Sequence, residues 1–198
     1  MKRIFAFIIF GSLFFVPGVF AQQGGHLSVQ YDISFGMGDL GDYISKASFR
    51  GISVQYRYAA TENILVGVDA AWYVFYEKRD YDTYTVGTQS ISGIQYRTQN
   101  EMPILVAVDY LIFTDKVVNP YIGFGIGTLY TERATDMGIW RIVQDPWHFA
   151  IKPEAGILAE ISGNTSAKIA VKYYNGFKSG DLDSQGFMAV SLGFAFGF

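Results

Sequence analysis

Few side chains in this sequence are suited to catalysis. Its 198 residues contain two histidines, His26 and His148, and no cysteine. The lack of cysteine excludes a thiolate nucleophile, a disulfide and cysteine-ligated zinc. The stretch 181–186 begins like a calcium-binding loop, but its twelfth position is Leu192, where such a loop needs a bidentate glutamate. We therefore expect no catalytic residue, no metal and no cofactor.

The other candidates for chemistry are charged residues at even spacings. Lys152 and Glu154 are two residues apart, and Lys168 and Lys172 are four apart. In a β-strand such spacings place side chains on one face.

Apolar and polar residues alternate along most of the chain. From Leu27 to Met37 every odd position is apolar, and the positions between are polar or small. A period of two over this length predicts a β-strand with one apolar face. The pattern occurs in eight segments: 27–37, 52–58, 64–74, 104–112, 122–127, 151–161, 168–174 and 188–198.

Composition indicates where these strands lie. Half of the residues are hydrophobic and only 17% are charged, against about 25% in soluble domains. Lys2 and Arg3 precede a short apolar run that ends near Ala21, which predicts a cleaved signal peptide over 1–21 and one domain over 22–198. No later stretch has the roughly 20 apolar residues of a membrane helix. The net charge of −3 gives no basic footprint for nucleic acid.

An exported, apolar chain of strands without membrane helices predicts a closed barrel. Unpaired backbone groups cost several kcal/mol each in lipid, so a sheet there must have no open edges. Short connections alternate with long ones, as in barrels with short periplasmic turns and longer extracellular loops. We expect an all-β fold, an eight-stranded antiparallel up-and-down transmembrane β-barrel. A ten-stranded barrel and a soluble lipocalin-like barrel with the faces inverted are the alternatives.

Two stretches carry a resemblance to a known family. They are the run from Met102 to Val106, continued after a turn by 120–127, and the closing residues Phe194, Phe196 and Phe198. In these features 22–198 resembles the small outer-membrane β-barrel family that includes OmpX and the transmembrane domain of OmpA. The resemblance implies a bacterial outer membrane with its lipid and lipopolysaccharide as surroundings. It also implies that the barrel-assembly machinery reads the C-terminal strand with Phe198.

In such a barrel the polar face of each strand points into the lumen. Charges in this low-dielectric space must pair with one another. We expect one group formed by Arg57, Asp69 and Asp109. A second group comprises Lys152, Glu154, Glu160, Lys168 and Lys172. If the turn between segments six and seven centres on Asn164, Glu160 faces Lys168 across the ladder. The network would act as a static plug or, alternatively, as a gate.

The expected function is structural or surface-interacting and without catalysis. The stretch 78–97, with its tip at Gly87, is predicted to extend strands three and four beyond the membrane, where exposed strand edges could bind a surface protein partner. A narrow channel for small solutes is the alternative. A lipid A-modifying enzyme would need His148, beside Asp145 at the outer rim, since His26 begins a strand at the other end, roughly 30 Å away.

Overall fold

The structure, a computed structural model, describes residues 24–86, 89–114 and 117–197. Nine antiparallel strands and one short helix account for most of these residues. No helix among them is both long and apolar enough to cross a membrane. The elements are β1 (Gly25–Gly38), α1 (Asp39–Tyr43), β2 (Ser48–Ala59), β3 (Ile64–Val86), β4 (Gln89–Leu111), β5 (Val118–Met137), β6 (Trp140–Gln144), β7 (Trp147–Ser162), β8 (Thr165–Gly176) and β9 (Gln185–Gly197). The predicted signal peptide, the tip at Gly87 and the terminal Phe198 lie outside the described residues.

Eight of these strands form a closed ring. The strands of the ring pair in the order β1, β2, β3, β4, β5, β7, β8 and β9. The pairing of β9 with β1 closes the ring. β6 lies outside the ring, and within the described part of the chain it pairs only with the end of β5. The eight-stranded antiparallel barrel is therefore confirmed, and the additional strand is a short extension beside β5 rather than part of a ten-stranded wall.

The alternation in the sequence separates the two surfaces of the barrel wall. Outward residues such as Val68, Val106 and Leu192 are 53%, 61% and 61% exposed. Inward positions hold the charged and small residues, many of them fully buried. An apolar belt around a polar lumen is the arrangement of a transmembrane barrel, because acyl chains solvate apolar side chains and water does not. The inverted arrangement of a soluble barrel is thus wrong for this chain.

The two ends of the barrel differ in length. Short turns join β2 to β3, β4 to β5 and β7 to β8 at one end. At the other end β3 and β4 are 23 residues each, and their pairing continues to Val86 and Gln89. The protruding hairpin predicted from the sequence is therefore present. We call the sheet formed by 74–86, 89–101, 131–137 and 140–144 the crown.

Candidate functional site

Seven of the eight charged residues expected in the lumen lie in one buried network. Arg57 on β2 bridges two carboxylates: its guanidinium contacts Asp69 on β3, and its Nε donates to Asp109 Oδ2 on β4 at 2.6 Å. Lys152 on β7 contacts both Asp69 and Glu154. The two groups expected from the sequence are therefore joined across the lumen through Asp69 and Lys152.

Two further lysines extend this network along β8. Lys168 Nζ lies 3.4 Å from Glu154 Oε1 and donates to Gln55 Oε1 at 2.5 Å. Lys172 Nζ donates to Ser53 Oγ at 2.8 Å and lies 3.5 Å from an Asp32 oxygen. With Asp32 the network contains four cations and four carboxylates, which balance in charge. The cations are Arg57, Lys152, Lys168 and Lys172, and the carboxylates are Asp32, Asp69, Asp109 and Glu154.

Glu160 does not join the network, and its expected pairing with Lys168 does not form. The strand register places Ser166 opposite Glu160 and Leu158 opposite Lys168. The reason is the turn, which is centred nearer Gly163 than Asn164, with an irregularity between Glu160 and Ser162. Glu160 has the inward parity of β7 but lies at its exposed end. A register shift of two residues leaves Glu160 on the same face of its strand but places a different residue opposite it.

Uncharged residues in the lumen complete this polar layer. The Tyr121 hydroxyl donates to Glu154 Oε1 at 2.5 Å, and Gln30 donates to Gln55 at 2.8 Å. Gly123 makes room for a charged side chain, since a Cβ there would lie 2.3 Å from Asp109 Oδ1. A Cβ at Gly125 would make only ordinary contacts, from 3.4 Å to Lys152 Cε. Tyr121, Gln30 and Gln55 were missed in the sequence because nothing there distinguishes them from other inward polar residues.

An aromatic layer fills the lumen toward the crown. Tyr73, Tyr174 and Phe187 are at most 1% exposed, and their ring centroids are 4.7–5.5 Å apart. Leu40 and Ile44, from α1 and the residue after it, are completely buried in the same cluster. Edge-on and stacked rings at these distances pack closely. The lumen is thus filled by side chains above the ionic network.

Hydrogen bonds hold α1 over this aromatic layer. The Arg133 guanidinium lies 3.0 Å from Asp39 Oδ2, and the Gln185 amide donates to the same oxygen at 3.1 Å. The Tyr43 ring lies between two guanidinium groups, 4.2 Å from Arg133 and 4.8 Å from Arg97. Burial raises the pKa of the Tyr43 hydroxyl, although a hydrogen bond with Thr135 and the nearby arginines oppose that effect. The hydroxyl therefore stays protonated.

The segment after α1 is held to the crown by a carboxylate. Glu77 Oε2 accepts from the Ser45 backbone N–H at 2.6 Å and from its hydroxyl at 3.1 Å, and Arg79 Nε lies 3.2 Å from the other oxygen. Burial by itself would raise the pKa of Glu77, but the bonds from Ser45, with Arg79 and Lys46, lower it below the usual value. The charged form of Glu77 thus stabilises the docked segment.

The two histidines lie at opposite ends of the barrel. His26 is at the periplasmic end of β1, paired with Gly197. His148 lies near the beginning of β7, on the inner face of the strand, and is 1% exposed. Its Nδ1 lies 2.7 Å from the Phe177 carbonyl oxygen, and in the described part of the chain its Nε2 has no hydrogen-bond partner. The described residues thus give His148 no carboxylate or hydroxyl partner for acid–base chemistry.

The crown presents two strand edges without a neighbouring strand. Pairing of β2 with β3 ends at Gly51 and Tyr73, so within the described residues no strand covers β3 beyond that point. That edge carries charged residues from Glu77 to Asp82. The second edge is the outer side of β6, where Trp140 and Ile142 are 64% and 62% exposed. The apolar edge is the one that sequence reasoning missed, because only the stretch 78–97 was predicted to extend beyond the membrane.

Comparison with solved structures identifies the fold. The attachment invasion locus protein Ail of Yersinia pestis, solved in complex with the heparin analogue sucrose octasulfate, matches with a TM-score of 0.56 and 16% identity over 89% of this chain and 99% of Ail. Neisserial surface protein A matches with a TM-score of 0.53 and 11% identity over 89% of this chain and 97% of that protein. This chain has the fold of the small outer-membrane β-barrels. No family model and no curated protein matches the sequence.

The resemblance to OmpX-like barrels noted in the sequence is therefore confirmed for the fold. The matched region covers nearly the full length of both neighbours, so the likeness covers the whole barrel. At 11–16% identity the likeness carries architecture and not function, because barrels of this design serve unrelated roles. The role of this chain has to be argued from its own lumen and crown.

Proposed function

We propose that this protein is a non-enzymatic barrel of the bacterial outer membrane that acts by binding a protein partner at its extracellular crown. The filled lumen carries this proposal. Eight paired charges and a layer of buried aromatic rings occupy the space that a solute would need. A barrel of eight strands is narrow enough for its own side chains to fill it. The proposed partner therefore binds outside the filled part of the lumen, at the crown.

β6 is the proposed docking edge. Natural edge strands are protected by charges, and β3 in the crown carries Glu77, Lys78, Arg79 and Asp80. β6 carries a single charged residue, Arg141, which lies 3.6 Å from Asp136. An extended segment of a partner could add to this edge through backbone hydrogen bonds, with its apolar side chains against Trp140 and Ile142.

The crown is a poor receptor for a polyanion such as a sulfated sugar. Its carboxylates are at least as numerous as its cations, and most of the cations already contact an acidic group or an aromatic ring. The carboxylates are Glu77, Asp80, Asp82, Glu101, Glu132 and Asp136, and the cations are Lys78, Arg79, Arg97, Arg133 and Arg141. The ligand in the Ail structure is therefore not part of this proposal.

The proposal also includes how the protein reaches the membrane. A signal peptide over 1–21 would be removed on export, and the barrel-assembly machinery would recognise the final strand, where Phe194 and Phe196 are 51% and 44% exposed on the outer face. Deleting Phe198 should reduce the amount of heat-modifiable barrel in outer-membrane fractions. N-terminal sequencing of the mature protein should begin at Gln22.

Single-channel recording separates this function from the alternative of a narrow channel. The mature protein in planar bilayers should give no steady conductance steps, and the double variant Tyr73→Ala/Phe187→Ala should give them, because it removes two rings of the aromatic layer. Steady steps from the unmodified protein would refute a filled lumen. Val143→Pro should abolish binding to a protein partner selected from purified surface proteins, while the Lys78→Gln control on the charged edge should retain it.

The enzyme alternative has its own test. His148→Ala should leave the acylation pattern of lipid A in the host unchanged, as measured by mass spectrometry. A change in that pattern would show that the barrel is a lipid A-modifying enzyme and would overturn the non-enzymatic assignment.

A further inference from the structure

A pocket of about 390 Å³ opens at the periplasmic end of the lumen. It lies below the ionic network, at the opposite end from the crown. We call it the periplasmic pocket. Its lining includes His26, Ser28, Arg57, Ser166, Lys168 and Gly197.

The pairing of three strands explains why space remains here. On β9 the inward residues are Ala195 and Gly197, which have almost no side chain. Ser28 on β1 and Ser166 on β8 both pair with Ala195, one from each side. His26 pairs with Gly197 in the next inward row. Polar side chains of β1 and β8 therefore border a hollow above the small residues of β9.

Several hydrogen-bonding groups in the pocket have no partner among the residues that the structure describes. Ser28 is only 2% exposed, and within the described residues its hydroxyl makes no hydrogen bond. The same holds for the Ser166 hydroxyl and for the ring of His26 across the part of the chain that the structure describes. These groups face the open space of the pocket, where a bound ligand can form hydrogen bonds with them. These groups converge on the space beside Lys168.

The charge of the lining has one sign. Arg57 and Lys168 line the pocket, and none of the described residues that line it is Asp or Glu. The guanidinium of Arg57 is engaged by Asp69 and Asp109, which lie deeper in the lumen. Lys168 Nζ donates to Gln55 at 2.5 Å, lies 3.4 Å from Glu154 and lies 4.7 Å from the centre of the Tyr121 ring. An ammonium group has three N–H donors, and an oxyanion is a stronger acceptor than an aromatic ring, so a bound oxyanion can take the third donor.

We propose that the periplasmic pocket binds a single oxyanion group, a phosphate or a carboxylate carried by a small periplasmic molecule. Lys168 supplies the charge, and Ser28, Ser166 and His26 supply hydrogen bonds. A hydrogen bond from an ammonium group to an oxyanion is about twice as strong as a neutral one. The volume is at the lower end of the range of small-molecule sites, so one head group fits and a polymer does not.

Titration of the refolded mature protein in lipid nanodiscs tests this site. Inorganic phosphate in one arm and N-acetyl-alanyl-alanine in the other distinguish the two sources of the oxyanion. Saturable shifts of the backbone amide signals of Ser28, Ser166 and Lys168 are expected in at least one arm. Lys168→Gln should weaken binding at least tenfold. Lys178→Gln, which removes the same charge from an exposed loop residue at the other end of the barrel, should change it less than twofold.

A second variant keeps the test decisive if Lys168→Gln does not fold. A Cβ at Gly197 would meet no described atom closer than 3.8 Å, so Gly197→Leu should fill the mouth of the pocket without changing charge or backbone. Binding should be lost in this variant. Non-saturating shifts in both arms, an equal loss in Lys178→Gln, or unchanged binding in Gly197→Leu would overturn the assignment.

Discussion

Removing Arg57 should destabilise the barrel strongly, through the carboxylates that it leaves behind. Arg57 is 2% exposed and bridges Asp69 and Asp109. In Arg57→Met, Asp69 keeps its contact with Lys152, but Asp109 loses its only ion pair among the described residues while remaining 2% exposed. Breaking a buried pair by removing one partner costs about 3–5 kcal/mol. The equilibrium constant of unfolding should therefore rise by a factor of about 10² to 10⁴.

Reversible urea unfolding in lipid vesicles measures this cost. Tryptophan fluorescence and the mobility of unheated protein on gels report the same transition. Arg50→Met is the matched control, because Arg50 lies exposed on the same strand, and its midpoint should move little. The double variant Arg57→Met/Asp109→Asn should recover at least half of the lost free energy, because the unpaired charge is gone.

Two results would contradict this reasoning. A loss below about 1 kcal/mol for Arg57→Met would mean that water solvates Asp109 in the folded barrel, as it does at an exposed ion pair. Additive costs in the double variant would mean that Arg57 and Asp109 do not interact energetically.

Three further predictions concern the crown, the wall and the belt. Because the pKa of Glu77 is lowered in the folded protein, its contribution to stability is complete above the ordinary carboxyl pKa and is lost as the pH falls through the lower folded value. The backbone amides of residues 44–47 should therefore lose their protection from hydrogen exchange in acid. The exchange rates are compared with those of Glu77→Gln at each pH. Gly127→Ala should prevent folding in vesicles because its Cβ would lie 2.3 Å from the Ile104 carbonyl oxygen, whereas Gly125→Ala, whose Cβ has ordinary contacts from 3.4 Å, should fold. Spin labels at Val54, Ile126 and Leu192 should be relaxed by oxygen dissolved in the membrane, and predominant relaxation by a water-soluble nickel complex would show that the belt does not face lipid.

The barrel can be predicted from the sequence because it follows from the alternation of apolar and polar residues along each strand and from the lipid that surrounds it. The alternation in the eight segments decides which residues face the lipid, and the cost of open edges in lipid decides that the sheet closes. The lengths of β3 and β4 were also predictable, since their alternation continues past the membrane. These features follow from patterns that each strand carries by itself.

Features that depend on distant partners were less predictable. Alternation gives the face of Lys168 but not its partner, because a shift of two residues at the Gly163 turn changes the partner without changing the face. Asp32 was not recognised as the counter-charge of Lys172, since the two lie on strands separated by β9. The docking of α1 was also missed, because Leu40 and Ile44 become core residues only through rings contributed by other strands.

The ionic network also bears on how the barrel closes during assembly. Lys172 on β8 meets Asp32 on β1 over the intervening β9, and Lys152 on β7 meets Asp69 on the far wall. Neither contact exists in an open sheet, in which these groups must remain hydrated. Pairing of β1 with β9 therefore neutralises several charges and expels their water in the same step. A partly curved sheet gains little stability from these charges before that pairing forms.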